Sequence, residues 1–171
     1  KRQVPLAQGV ERPSLIPPTK LPASAILPPS KQPIERVNDY LGLFGASTEK
    51  AAVFIDVTET PIVISKALFI QGNDKSTDQF KWLDDPKKAN RLDNINLLAM
   101  TLIEPDEVWW LWVRDFTESG KQDGGWRLRR RYLKSFEIDG QKKYGMAVFE
   151  WGANGWTGAT TFTPDDGKER R

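Results

Sequence analysis

The run RLRRRY at residues 127 to 132 is the densest concentration of chemically useful side chains in the chain. On a β-strand, side chains two residues apart share a face at about 6.5 to 7 Å. Arg127, Arg129 and Arg131 therefore project together, at a spacing comparable to that of phosphates along a single strand of nucleic acid. Guanidinium forks bind phosphate oxygens bidentately and stabilise charge developing on a phosphorane-like transition state. The competing reading is a basic strand face that is solvated or paired with Asp and Glu. Thr160 and Thr161, in GATTF, offer hydroxyls to a phosphate beside the arginines, or are β-branched residues suited to a strand. Glu150 and Glu107 are the carboxylates nearest the expected groove, and a carboxylate base beside arginines is workable proton-transfer chemistry. Glu107, in PDEVW, equally reads as part of a turn. Lys66 and Arg91 could face the sheet from above or stand as solvated charges, and Tyr132 adds a phenol to the arginine run. Seven tryptophans could stack bases, although aromatics at strand positions are also what sheet packing requires.

The rest of the composition narrows this chemistry. The 171 residues contain no Cys, which excludes disulfides and thiolate zinc sites, and no His, which removes the usual acid and base and the commonest metal ligand. Proton transfer must run on Lys, Arg, Tyr, Ser, Thr, Asp or Glu. Net charge is +2. Residues 1–36 carry six basic and two acidic side chains, so the remainder is close to −2 and a globally basic nucleic-acid binder is not described. No apolar run approaches the roughly 20 residues of a membrane helix, and no signal peptide pattern is present. The chain is expected to be soluble as it stands and, since it starts at Lys1, to be a piece of something longer or trimmed.

The elements that must position these groups follow from periodicity. WRLRRRYLKSF, YGMAVFEW and WTGATTF, separated by turns at residues 139–143 and 152–155, read as consecutive antiparallel strands. VWWLWVRDF, Val108 to Phe116, pairs with the Trp126 strand as the first member of a four-stranded meander. Alternation puts Trp126, Leu128, Arg130, Tyr132, Lys134 and Phe136 on one face, core-facing at its ends, and Arg127, Arg129 and Arg131 on the open face. Ahead of the sheet, eight of the twelve prolines lie between Pro5 and Pro33 and specify an extended arm, either a semi-rigid linker or a peptide that docks on a surface. Ile34, Val37, Leu41 and Phe44 form the apolar stripe of a short helix stopped at Gly45. Val53 to Val57 and Ile62 to Ser65 form a small hairpin around Thr58 to Pro61. SKALFIQG adds one or two helical turns ended by Gly72, and residues 73–86 a polar loop anchored by Phe80 and Trp82. Lys87 to Ile103 is the best helix, with Ala89, Leu92, Ile95, Asn96, Ala99, Leu102 and Ile103 on one stripe and Asp93 and Asn94 mainly off it. The expected architecture is α+β: an arm over 1–33, a domain over 34–164 with helices packed on the antiparallel meander, and a polar tail over 165–171.

VFIDVTETPIVISKALF, the helix before PDEVWWLW, LRRRYLKSF, AVFEWG and GWTGATTF together resemble the phage Barnase, EndoU, colicin and RelE-like nuclease domain found at the C-termini of phage Mu F-like minor head proteins. The resemblance covers about residues 36–164. It implies a metal-independent ribonuclease-like fold, with no cofactor and with the active site on the concave sheet face, cleaving RNA through its 2′-hydroxyl. It places a basic group on Lys66 or Arg91, the strand arginine and its neighbour on Arg131 and Tyr132, and the last-strand hydroxyl on Thr160. Arg129 and Arg127 then join Arg131 in holding the phosphate, and Tyr132 or Glu150 moves the proton. The chain departs from the family pattern in lacking the His that several relatives use. The implied partners are RNA and an immunity protein or virion subunit, with no membrane, and the implied setting is the virion or the host cytoplasm. The alternative is a non-catalytic structural domain of a minor head protein whose arm docks on a neighbour.

Overall fold

A computed structural model describes residues 16–25, 32–69, 92–116 and 122–162, with the side chains of 115–116, 122–124 and 160–162 outside that description. Among the described residues, two α-helices, α1 (Pro33–Gly42) and α2 (Ile95–Ile103), pack on a sheet of seven strands. The strands are β1 (Thr19–Leu21), β2 (Ala52–Ile55), β3 (Pro61–Ile64), β4 (Glu107–Phe116), β5 (Gln122–Ile138), β6 (Gln141–Gly152) and β7 (Gly155–Phe162). The class is α+β. Strands β4 to β7 are successive antiparallel neighbours.

The four-stranded antiparallel sheet expected from the sequence is too small. The sheet is mixed, because β3 pairs in parallel with β7 and carries β2, and β1 pairs in parallel with β5. The small hairpin expected ahead of the four strands is thus part of the sheet. Its attachment is short, Ile62 opposite Trp156 and Val63 opposite Thr157, and depends on a long-range parallel register that no local pattern encodes. β5 has room for two neighbours on one edge: β4 covers its first part to Leu133, and β1 covers Phe136 to Ile138.

Helix α1 begins with Pro33, whose missing N–H would be unpaired in a first turn anyway. The Gln32 N–H donates to the Glu35 carboxylate at 3.0 Å. Past its end, Gly45 has φ 75, a left-handed conformation that glycine adopts without strain. Its buried face is Val37, Tyr40 and Leu41, with Phe44 packed alongside, while Ile34 is exposed at the edge of the expected stripe.

Helix α2 departs further from expectation. Leu97, Leu98, Thr101 and Asn94 are all buried besides the expected stripe, and Ile103 is exposed. The cause is that α2 touches two cores. Ile95, Leu98, Ala99 and Leu102 join α1, Ile62, Ile64, Tyr132 and Phe149, while Leu97 joins Phe136 and Ile138, with Met100 and Leu21 packed against them. Leu21 of the proline-rich arm therefore roofs the second cluster. The helix sits so close to the sheet that a Cβ at Gly145 would fall on the Thr101 hydroxyl. The expected turns at Lys66–Leu68 appear as a 3-10 turn capped by Ser65 Oγ, which accepts from Ala67 N–H at 3.2 Å. Gly72, Phe80, Trp82, Ala89 and Arg91 lie outside the described residues.

Candidate active site

The long strand β5 divides its side chains between two environments. Directly opposed residues in antiparallel pairs share a face. On the face away from the helices, Trp109, Arg131 and Val148 form one row, and Leu111, Arg129, Glu150 and Thr157 form the next. Arg127 continues the arginine column opposite Val113.

Glu150 is the hub of this face. Its Oε1 accepts from Arg127 Nη1 at 2.7 Å and its Oε2 from Arg129 Nε at 3.0 Å, one guanidinium on each oxygen. Burial pushes the Glu150 carboxyl up, but the hydrogen bonds and charges of Arg127 and Arg129 outweigh it and hold the group below the ordinary carboxylate range. Arg131 is half-buried, and its Nε is buried without a hydrogen-bond partner among the described residues. Burial, and then the positive charge of Arg129, makes its guanidinium less basic than usual. Arg127 and Arg129 thus pair with Glu150, while Arg131, one row along, has no carboxylate partner among the described residues. Trp109, beside Arg131 in register, is exposed and donates its indole N–H to Glu107 at 2.6 Å.

The expected residues divide as follows. Arg127, Arg129, Arg131 and Glu150 are together. Thr160 has its backbone opposite Val148, next in the Arg131 row, and its side chain lies outside the described residues. Thr157, directly opposite Glu150, was not expected; its strand position relative to FEWGANGW was the available signal. Lys66 sits in the 3-10 turn that packs on the helix side, where Leu68 meets Gly158, and no described contact joins it to the three arginines. Arg91 lies outside the described residues.

Tyr132 is a correction. Strand alternation places it on the opposite face from Arg131, fully buried, with its hydroxyl donating to Asp56 Oδ2 at 2.7 Å. Burial first, then the Asp56 carboxylate that accepts its proton, pushes the phenol far above its ordinary range, so it cannot move a proton on the arginine face.

Arg130, between the exposed arginines, is fully buried beside Tyr132. It pairs with Asp56 Oδ2 through Nη2 at 2.6 Å and Nε at 3.2 Å, donates to Tyr132 Oη at 2.7 Å, and reaches the Thr58 hydroxyl. Asp56 in turn accepts from the N–H groups of Thr58 and Thr60 at 2.8 and 2.9 Å, which folds the β2–β3 turn around the carboxylate and holds Glu59 at φ 62. Burial raises the Asp56 pKa, and the hydrogen bonds from Tyr132, Thr60 and Thr58 overcome this to leave it at about 2. Sequence reasoning missed Asp56. The signal was present: alternation in RLRRRY sends one arginine to the core, and a buried arginine needs a carboxylate from elsewhere.

Among the described residues no three carboxylates gather in a way that would hold a metal ion, and no helix is long and apolar enough to cross a membrane. Residues 39–171 match the family described as phage-Barnase-EndoU-ColicinE5/D-RelE like nuclease2. No curated protein and no solved structure matches the chain.

Proposed function

The chain belongs to the phage-Barnase-EndoU-ColicinE5/D-RelE like nuclease2 family, and from that premise we propose that it cleaves RNA through the 2′-hydroxyl, without a metal ion, at Glu150 and the arginines around it. The observation that carries the reading is the double clamp on Glu150, 2.7 Å to Arg127 and 3.0 Å to Arg129, on the face that also bears Arg131.

The clamp supplies a switchable base. In the free protein the guanidiniums neutralise the carboxylate and make it a poor proton acceptor. A phosphodiester bound to Arg129 and Arg131 competes for the same donors, weakens the hold on Glu150, and so raises its basicity where the 2′-hydroxyl arrives. Glu150 takes that proton, O2′ attacks phosphorus, and the bond from phosphorus to O5′ breaks. The departing O5′ takes a proton from water, and a 2′,3′-cyclic phosphate remains. The arginines stabilise the extra negative charge of the phosphorane. Thr157, on the closing strand, supplies a hydroxyl for a non-bridging oxygen, and Thr160 has its backbone one row along.

The test is cleavage of a ribo-oligomer and its deoxy counterpart in the presence of a chelator. Wild type cuts only the ribo-oligomer; Glu150→Gln lowers the rate about 10²- to 10⁴-fold, as expected for a lost general base, and Arg131→Ala lowers it as well. Cleavage that requires a divalent metal, equal cleavage of the deoxy-oligomer, or variants as active as wild type would overturn the reading.

A further inference from the structure

Among the described residues, no helix covers the helix-bearing side of the sheet at its β4 end, and the surface there is made of tryptophan. Trp110, Trp112, Trp126 and Trp151 are 59%, 66%, 59% and 56% exposed. Their register puts them on one side: Trp110 is opposite Arg130, Trp112 opposite Leu128, Arg114 opposite Trp126, and Trp151 opposite Trp156. Buried Trp156 ties the group together, meeting Trp110 edge-on at 5.8 Å and Trp151 at 5.3 Å between ring centroids. Four large exposed rings on one side of a sheet form an apolar patch of the kind that marks a binding surface.

We propose that this tryptophan face binds single-stranded nucleic acid by stacking its bases on Trp110, Trp112, Trp126 and Trp151. Charge selects this occupant. On this side of β4, β5 and β6 the described charged side chains are Arg114, Arg130, Lys134 and Lys143, all cationic, with Lys143 far from the tryptophan end. Lys134 is engaged with Asp106 at 3.3 Å. The Arg114 guanidinium lies 5.9 Å from the Trp126 ring centroid and its buried Nε has no partner among the described residues. The Arg130 guanidinium, 5.1 Å from Trp110 and 6.0 Å from Trp156, is fully buried and neutralised by Asp56, so it supports the rings from below and does not reach a ligand. Exposed rings beside a guanidinium that no described carboxylate neutralises suit a polyanion with exposed aromatic bases. A neutral glycan would use the rings and leave Arg114 idle. Trp110 and Trp112 stand two residues apart on one strand, about 6.5 to 7 Å, a spacing that an extended, unstacked single strand can match.

β4 pairs with β5 alone, so its other edge is free of strands in the described sheet. Across that edge lies Trp109, exposed and opposite Arg131. A nucleic-acid strand held on the tryptophan face thus has one β-strand to pass before it reaches the arginines. This delivery rests on the function proposed above, whereas the binding itself does not.

Fluorescence anisotropy of a labelled oligothymidylate of about twelve nucleotides, within the site sizes of single-strand binders, tests the binding on the full chain. The probe has no 2′-hydroxyl and survives a ribonuclease. Trp110→Ala and Trp112→Ala are each expected to weaken binding about tenfold, and Trp112→Phe to retain most of it. If Glu150→Gln cleaves RNA like wild type while the tryptophan variants lose the probe, the tryptophan face stands and only the cleavage site falls. Binding by the double tryptophan variant equal to wild type, with its unfolding transition unchanged, would overturn the proposal. So would equally tight binding of the matching duplex, whose bases are not free to stack. Failure of the probe to bind wild type, with tryptophan fluorescence quenched by a neutral β-glucan oligosaccharide, would reassign the face to glycan.

Discussion

Replacing Asp56 by Asn keeps the shape of the side chain and removes the charge that neutralises Arg130. Both side chains of this pair are fully buried, so the guanidinium left behind has neither water nor another described carboxylate within reach. Breaking a buried pair by removing one partner costs about 3–5 kcal/mol, a large share of the roughly 5–15 kcal/mol that holds a domain folded. The acid branch gives an independent magnitude. The Asp56 pKa falls from 3.8 unfolded to about 2 folded. A depressed folded pKa means the stabilisation is fully present above the unfolded value and is lost as pH falls through the folded one. That difference corresponds to roughly 2 to 3 kcal/mol lost between about pH 4 and pH 2. Urea unfolding followed by tryptophan fluorescence reads both, since Trp110 and Trp156 border the Arg130 guanidinium. Asp56→Asn should lower the midpoint at neutral pH and flatten the acid branch. Arg130→Met combined with Asp56→Asn should be less destabilised than the sum of the single changes, because no orphan charge remains. A loss below about 1 kcal/mol for Asp56→Asn, or strict additivity in the cycle, would refute the argument that an unpaired buried charge is what the change creates.

Three further outcomes follow from the geometry. Because Arg127 and Arg129 hold the Glu150 carboxyl below the ordinary range, Glu150 stays ionised into mildly acid solution. The acid limb of kcat/KM should therefore lie below that of a free glutamate, and Arg127→Ala should move it upward in a pH–rate profile. Gly145→Ala would drive a methyl group onto the Thr101 hydroxyl and should destabilise by about 1–3 kcal/mol in denaturant unfolding; adding Thr101→Ala should recover much of it, and no recovery would mean the clash lies with the Leu97 carbonyl 3.3 Å away. Leu21→Ala uncovers the Leu97, Phe136 and Ile138 cluster and should cost about 1 kcal/mol by the same measurement, showing that the proline-rich arm stabilises the domain rather than only tethering it.

The meander and its turns were legible because local patterns specify them. Asp139–Gly140, at φ 50 and 75, make the tight turn between β5 and β6 that a polar Asp-Gly pair announces, and the alternation of RLRRRY correctly set Arg127, Arg129 and Arg131 on one face. What escaped was non-local. The parallel pairs of β3 with β7 and β1 with β5 join segments far apart in sequence, with only two and three residue pairs. The burial of α2 beyond one stripe follows from its position between two clusters, not from its own period. Tyr132 was joined to Arg131 by the family resemblance, although the period of two separates them. The buried arginine announced the need for a carboxylate, but not which one, because Asp56 stands 74 positions from Arg130 and meets it only through the tertiary fold.

The two carboxylate–arginine sites on β5 show why residue type alone does not separate structure from chemistry. Asp56 with Arg130 and Glu150 with Arg129 are the same pair of groups at similar distances, 2.6 Å and 3.0 Å. The first is sealed among Tyr132, Thr58, Trp110 and Trp156, so its partners cannot change without unfolding, and its charge is fixed in the structure. The second is reached by water, with side chains 33% and 20% exposed, and its guanidiniums can exchange a carboxylate for a phosphate, because a pair that water reaches is held more weakly than a sealed one. A base must lose its partner during the reaction, so only the weakly held pair can serve as one. The period of the strand, which sends Arg129 and Arg131 outward and Arg130 inward, is what assigns one arginine to the fold and its neighbours to the phosphate.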